Sequence, residues 1–137
     1  MEYKMSELPP ALALAFLGDA VHSAYIREML VKSGITKPGS LTERSLLYVT
    51  AAKQAEAFRR MEPILTEDER DVARRASNSK HLSRPHHAKL ADYRLATGLE
   101  TILGMHRFCG NEARIRELMA LATADEDFKG ISATDAE

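Results

Sequence analysis

Apolar residues run almost unbroken through two stretches of this chain. Residues 11–24 read ALALAFLGDAVHSA, and residues 95–105 read LATGLETILGM. No segment alternates apolar and polar with β-branched enrichment, and Ala, Leu, Arg and Glu are plentiful, so the pattern predicts helices throughout. A first helix is expected over about residues 10–33, with Pro9 and Pro10 at its start and Gly34 as its stop. KPGS at 37–40 is a turn, and Ser40 with Glu43 three residues on has the spacing of a capping box. That second helix is expected to run unbroken to about Met61, with Pro63 beyond it. Thr66 and Glu69 form another capping box, opening a third helix to about Asn78. Residues 79–87, with Pro85, read as a loop. A fourth helix covers about 88–109 and closes at Gly110; Asn111 caps a fifth that ends near Ala122.

Each apolar stretch carries one formal charge, Asp19 in the first and Glu100 in the second. A carboxylate set in an apolar helix is costly unless something pairs with it. Two such carboxylates brought together by packing make a site for a hard divalent cation, and magnesium needs only one or two of them beside water and substrate phosphate. A cation held this way can activate water and stabilise a phosphoryl transition state. The alternative is a pair of structural ion pairs, for example with Arg94 or Lys80. Apolar residues lie on nearly all faces of both helices, which marks helices surrounded by others. Gly18, Gly98 and Gly104 cost helix propensity, and the return is either close approach of two backbones that builds a site or simply the fit of a tight core.

Composition narrows the class. A chain of 137 residues fits one domain with a core of its own. The division expected is a catalytic domain over residues 1–122 and a frayed acidic tail over 123–137. The formal net charge of −1 gives the whole chain no bias toward nucleic acid or membrane. The single cysteine, Cys109, excludes an internal disulfide and reads as a packing thiol. The polar, acidic start MEYKMSELPP is unlike a secretory leader, and no apolar run reaches membrane-spanning length. A soluble cytoplasmic protein with no membrane partner is expected.

Charge is uneven locally. Residues 70–94 hold seven basic side chains, Arg70, Arg74, Arg75, Lys80, Arg84, Lys89 and Arg94, against Asp71 and Asp92, a net of +5. Such a patch, leading into the helix of Glu100, suits a phosphate backbone. The bland alternative is a solvated face laced with i,i+4 pairs. Other motifs are missing. His86 and His87 lack companion metal ligands, no glycine-rich phosphate loop is present, and Glu100 is followed three residues on by Leu103 rather than the His of di-iron bundles. Tyr25, Tyr48, Tyr93 and Phe108 read as core rather than stacking platforms.

At this point the residues resemble a known family. LALAFLGDAV at 12–21 is similar to the signature helix of the ribonuclease III family, in particular its small Mini-ribonuclease III branch, which lacks a double-stranded-RNA-binding domain. SNSK at 77–80 is similar to that branch's Arg-Asn-Ala-Lys segment, and DYRLATGLETILG at 92–104 to its glutamate-bearing helix; KPGSL and AAKQAE also fit. The resemblance spans about residues 12–121 in order and spacing. It implies an all-α ribonuclease III-type endonuclease domain, a helical bundle that dimerises through the signature helix and cuts double-stranded RNA with magnesium. Asp19 and Glu100 match the catalytic and metal-binding acids. Arg74, Arg75, Asn78 and Lys80 fall in a segment that contacts RNA, and Glu56 matches an outer acid. In bacteria the branch trims the large-subunit (23S) ribosomal RNA precursor, with a ribosomal protein as a candidate presenter of the cleavage site.

The chain also departs from the wider family. Ala15 and Thr97 stand where full-length relatives carry further acids one turn before Asp19 and Glu100, a loss the branch shares, and the metal count stays open. Ser77, His22 and His81 are unusual. Two other readings remain: a non-catalytic RNA-binding or ribosome-assembly module, and a metal-dependent phosphohydrolase of small nucleotides.

Overall fold

A computed structural model describes residues 3–79 and 89–124. Among these, six α-helices follow in order: α1 (Ala11–Lys32), α2 (Pro38–Val49), α3 (Ala51–Met61), α4 (Glu67–Ser77), α5 (Leu90–Phe108) and α6 (Glu112–Ala122), with short 3-10 turns at Met5–Glu7 and Glu62–Ile64. No described residue lies in a strand. The all-α expectation therefore holds. No helix among the described residues is long and apolar enough to cross a membrane. Residues 80–87 of the loop predicted at 79–87, including Lys80, His81, Arg84, His86 and His87, and the acidic tail from 125 onward fall outside the described residues.

Two local expectations need correction. The single helix over 40–61 is two helices. Thr50 adopts extended backbone (φ −71°, ψ 155°), and its side chain accepts a hydrogen bond from the Lys53 amide at 3.3 Å, so it caps α3 and ends α2. A capping threonine competes with helix continuation, and here it wins. The Ser40 capping box is also absent. α2 starts two residues earlier at Pro38, whose fixed φ and missing N–H suit the first helical position, with Lys37 ahead of it. The Thr66–Glu69 box is present as expected, with Thr66 N–H donating to Glu69 at 2.8 Å and Glu69 N–H to the Thr66 hydroxyl at 3.2 Å. Gly34 and Gly110 follow α1 and α5 with φ of 100° and 76°, the left-handed stops the sequence predicts.

α5 is the central rod. α1, α3 and α4 all pack on it, and α6 closes against α3 and α5. Leu99, Ile102, Leu103 and Met105 of α5 are fully buried, against Leu14, Ile26 and Leu30 of α1 and Ile115, Leu118 and Met119 of α6. α1 is not enclosed on all sides. Its buried positions recur at Leu14, Gly18, Val21, Ile26 and Leu30, and its other face carries Phe16, 85% exposed, with Ala13, Ala20 and Ala24 also exposed. The apolar reading of that helix was right in composition, but one face is left for solvent or another chain.

The glycines set the α1–α5 distance. A methyl group on Gly18 would fall 1.5 Å from the Glu100 carbonyl oxygen, and one on Gly104 would fall 1.8 Å from that of Leu14. Only hydrogen fits at either place, so the two backbones touch along this seam. Gly98 instead faces the Ala73 and Phe58 side chains, and tightens α5 against α4 and α3.

Candidate active site

Asp19 follows Gly18 directly, and Glu100 supplies the carbonyl that Gly18 packs against, so the seam delivers both acids to one place. Their side chains meet within hydrogen-bonding reach. Asp19 is exposed and Glu100 is partly buried, so the expectation of two interred anions is corrected for Asp19. Burial, followed by the hydrogen bond and negative charge of Asp19, pushes the Glu100 carboxyl up to about 9. No cation among the described residues contributes to that shift. Two carboxylates in contact without a counter-charge cannot both ionise cheaply. Of the two ion-pair partners the sequence offers, Arg94 is exposed and does not act on Glu100, and Lys80 lies outside the described residues.

The donor set stops at two acids. No group of three or more His, Cys, Asp or Glu side chains gathers as metal ligands among the described residues. Ala15 and Thr97 are buried in the positions one turn earlier, and the Thr97 hydroxyl donates to the Tyr93 carbonyl at 2.9 Å instead of facing a ligand. A pair of oxygen ligands that no described residue neutralises, one side open to solvent, fits a small hard cation that keeps water in its shell.

His22, one turn after Asp19, is 1% exposed, and burial pushes its imidazole down to about 4, partly opposed by the charge of Asp19. Its Nδ1 lies 3.3 Å from Nε2 of Gln54 on α3, which is 4% exposed. The sequence marks His22 as unusual but gives no sign of Gln54. The usable signal was a polar residue on the buried face of an apolar helix.

The expected RNA-contacting residues cluster at the C-terminal end of α4, a helix that packs on both α1 and α5. Arg74 and Arg75 are exposed, and both ion-pair with Asp71, Arg75 at 2.9 Å. Arg75 also lines a cavity of about 520 Å³ with Leu8, Pro10, Leu14, Val72 and Ser79, beside the start of α1. Asn78 is exposed and ends α4, its N–H donating to the Arg74 carbonyl at 3.0 Å. Lys80 is outside the described residues. Arg70 turns away, its guanidinium donating to the Glu62 and Leu65 carbonyls. Glu56 is exposed and pairs with Lys53 at 3.6 Å.

The glycine seam sets two acids side by side in a helical domain whose α4 ends in exposed arginines, an arrangement suited to hydrolysis of a phosphodiester. The Ribonuclease III domain family matches residues 12–108, and the chain belongs to that family. It is similar to Mini-ribonuclease 3 of Symbiobacterium thermophilum, 39% identical over 115 residues covering 84% of this chain and 88% of the relative. It is also similar to Mini-ribonuclease 3 of Streptococcus pneumoniae, 37% identical over 111 residues covering 80% and 87%. A crystal structure of a protein from Fusobacterium nucleatum superposes with a TM-score of 0.80 at 26% identity, covering 90% of this chain and all of that one. The chain is an endoribonuclease of the ribonuclease III family, and its resemblance to the Mini branch stands.

Proposed function

We propose that this endoribonuclease cuts double-stranded RNA, using magnesium held by Asp19 and Glu100. The observation that carries the reading is the contact between these two acids with no cation among the described residues acting on Glu100. Magnesium, when bound, supplies activation of water and charge stabilisation at the phosphorus. The chain's residues do the rest. Asp19, exposed on α1, and Glu100, partly buried on α5, would hold the cation, Asp19 on the substrate side. The glycine seam fixes their spacing before substrate binds. Arg74, Arg75, Asn78 and Lys80 hold the RNA backbone, with Asp71 exchanged for phosphate by the two arginines. Double-stranded RNA is read by shape and 2′-hydroxyls, so affinity depends steeply on salt.

The exposed face of α1 around Phe16 supports a two-fold dimer, which places one site on each strand of a duplex. The preferred substrate is the large-subunit ribosomal RNA precursor, in the cytoplasm, with a ribosomal protein able to present the site. This follows the resemblance to the Mini branch.

Incubation with a long RNA duplex and with free nucleotides, with and without magnesium, tests the reading. Duplex cutting that requires magnesium and is lost in a folded Asp19→Asn variant is expected. Turnover of nucleotides alone, or cutting that survives in Asp19→Asn, contradicts it.

A further inference from the structure

α1 and α3 each lean on α5 but make little backbone contact with each other. Across that gap runs the buried hydrogen bond from Gln54 Nε2 to His22 Nδ1. With Gln54 Nε2 as the donor, Nδ1 is the acceptor and the imidazole then carries its proton on Nε2. The seam that holds α1 to α5 is made at glycine, and the α1 side chains buried around it, Leu14, Val21, Ile26 and Leu30, are apolar and make non-directional contacts. His22 lies one turn from Asp19 on the same face, so whatever fixes the imidazole also fixes the azimuth of the aspartate.

We infer that the His22–Gln54 hydrogen bond is a positioning device, locking the rotation of α1 so that Asp19 meets Glu100 at cation-binding distance. This rests on the proposed function and adds two residues to its support. A buried pair this small carries little net stability, because its gain is offset by desolvation. Its use lies in geometry: a directional bond defines one orientation where an apolar contact of the same volume tolerates several. Neither residue touches the substrate in this account.

The test uses the full chain and four variants: His22→Phe, Gln54→Leu, the double variant, and His22→Asn, whose amide oxygen can accept where Nδ1 did. Three readouts are taken: thermal midpoint, manganese binding by calorimetry without RNA, and duplex cleavage across a magnesium series. Each apolar single substitution strands one buried polar group and lowers the midpoint. The double variant strands neither and recovers most of it. If the pair positions Asp19, the recovered double variant still binds manganese about 5- to 10-fold more weakly, about 1 kcal/mol or slightly more. Its magnesium requirement for cleavage rises by a similar factor, with RNA affinity unchanged, and His22→Asn recovers metal binding. A double variant that regains both midpoint and metal affinity overturns the inference, since the pair then only packs. Should that variant not fold, unaltered manganese affinity in either folded apolar single variant overturns it equally. A wild-type chain that binds manganese but cuts no duplex refutes the nuclease reading and leaves the calorimetric comparison to judge the positioning role.

Discussion

Glu69 and Glu100 are both glutamates set into helix faces that pack on the core, yet their surroundings are opposite. Glu69, 1% exposed, receives the Thr66 amide, two guanidinium nitrogens of Arg114 at 2.7 and 2.8 Å, and Nε2 of His106 at 2.6 Å. Burial alone would raise its carboxyl, but the Arg114 and His106 hydrogen bonds prevail and hold it well below the usual range. Arg114 is raised in turn, chiefly by its bond to Glu69, and also donates to the Ile64 carbonyl at 2.9 Å. His106 is completed by Asn111, 3.4 Å from Nδ1. Both carboxylate oxygens of Glu69 and both ring nitrogens of His106 have partners inside the fold. Glu100 meets only another acid among the described residues. A satisfied buried acid ties α4, α5 and α6 together; an unsatisfied one is tolerated where an external cation completes it.

The largest effects should separate these roles. Glu69→Ala leaves Arg114 and His106 without their acceptor, and urea unfolding is expected to show a loss of about 3–5 kcal/mol. A loss under about 1 kcal/mol would mean that the cluster does not hold α6. Glu100→Gln should do the reverse: folding stability is kept or raised, while duplex cleavage falls about a thousandfold, about 4 kcal/mol in barrier. Comparable damage to folding in both variants would erase the contrast. At the seam, Gly18→Ala drives a methyl into the Glu100 carbonyl and should cost about 1–3 kcal/mol while weakening metal binding. Calorimetry with manganese checks the second effect.

A smaller effect concerns pH. Glu100 is raised above its unfolded value, so its contribution is fully present below about pH 4.5 and is lost as pH rises toward about 9. The chain in chelator should therefore lose midpoint between pH 6 and 9, magnesium should restore it, and Glu100→Gln should flatten the slope. His22 and Glu69 act with opposite sign. Both are lowered, so their contributions are present above the unfolded values and disappear only in acid. An alkaline slope unchanged by Glu100→Gln would point to another group. Smallest is Lys80→Ala, which should weaken RNA binding and reduce the logarithmic salt slope by about 1 with the fold intact.

Why Glu100 was legible in the sequence and Glu69 was not follows from their neighbours. Asp19 and Glu100 are lone charges in apolar runs, and the glycines beside them announce close packing. Glu69 sits in a run of three acids at a helix start, which reads as solvated N-terminal charge. Its capping bond is local and was foreseeable; its burial depends on Arg114, 45 residues away, and no spacing encodes that. The helix break at Thr50 was hidden because a threonine that caps and one that continues a helix look alike until tertiary contacts decide. The exposed face of α1 escaped notice for the converse reason: its apolar side chains match a buried helix, and only packing shows which face is left uncovered.

The central claim is that Asp19 and Glu100 share a divalent cation. Anomalous diffraction from crystals grown with manganese addresses it directly, at wavelengths where the ion alone scatters strongly. A single strong peak between the two carboxylates, absent in crystals of Glu100→Gln, is the predicted result. A chain that cuts duplex RNA with manganese yet shows its peak away from both acids would contradict the account.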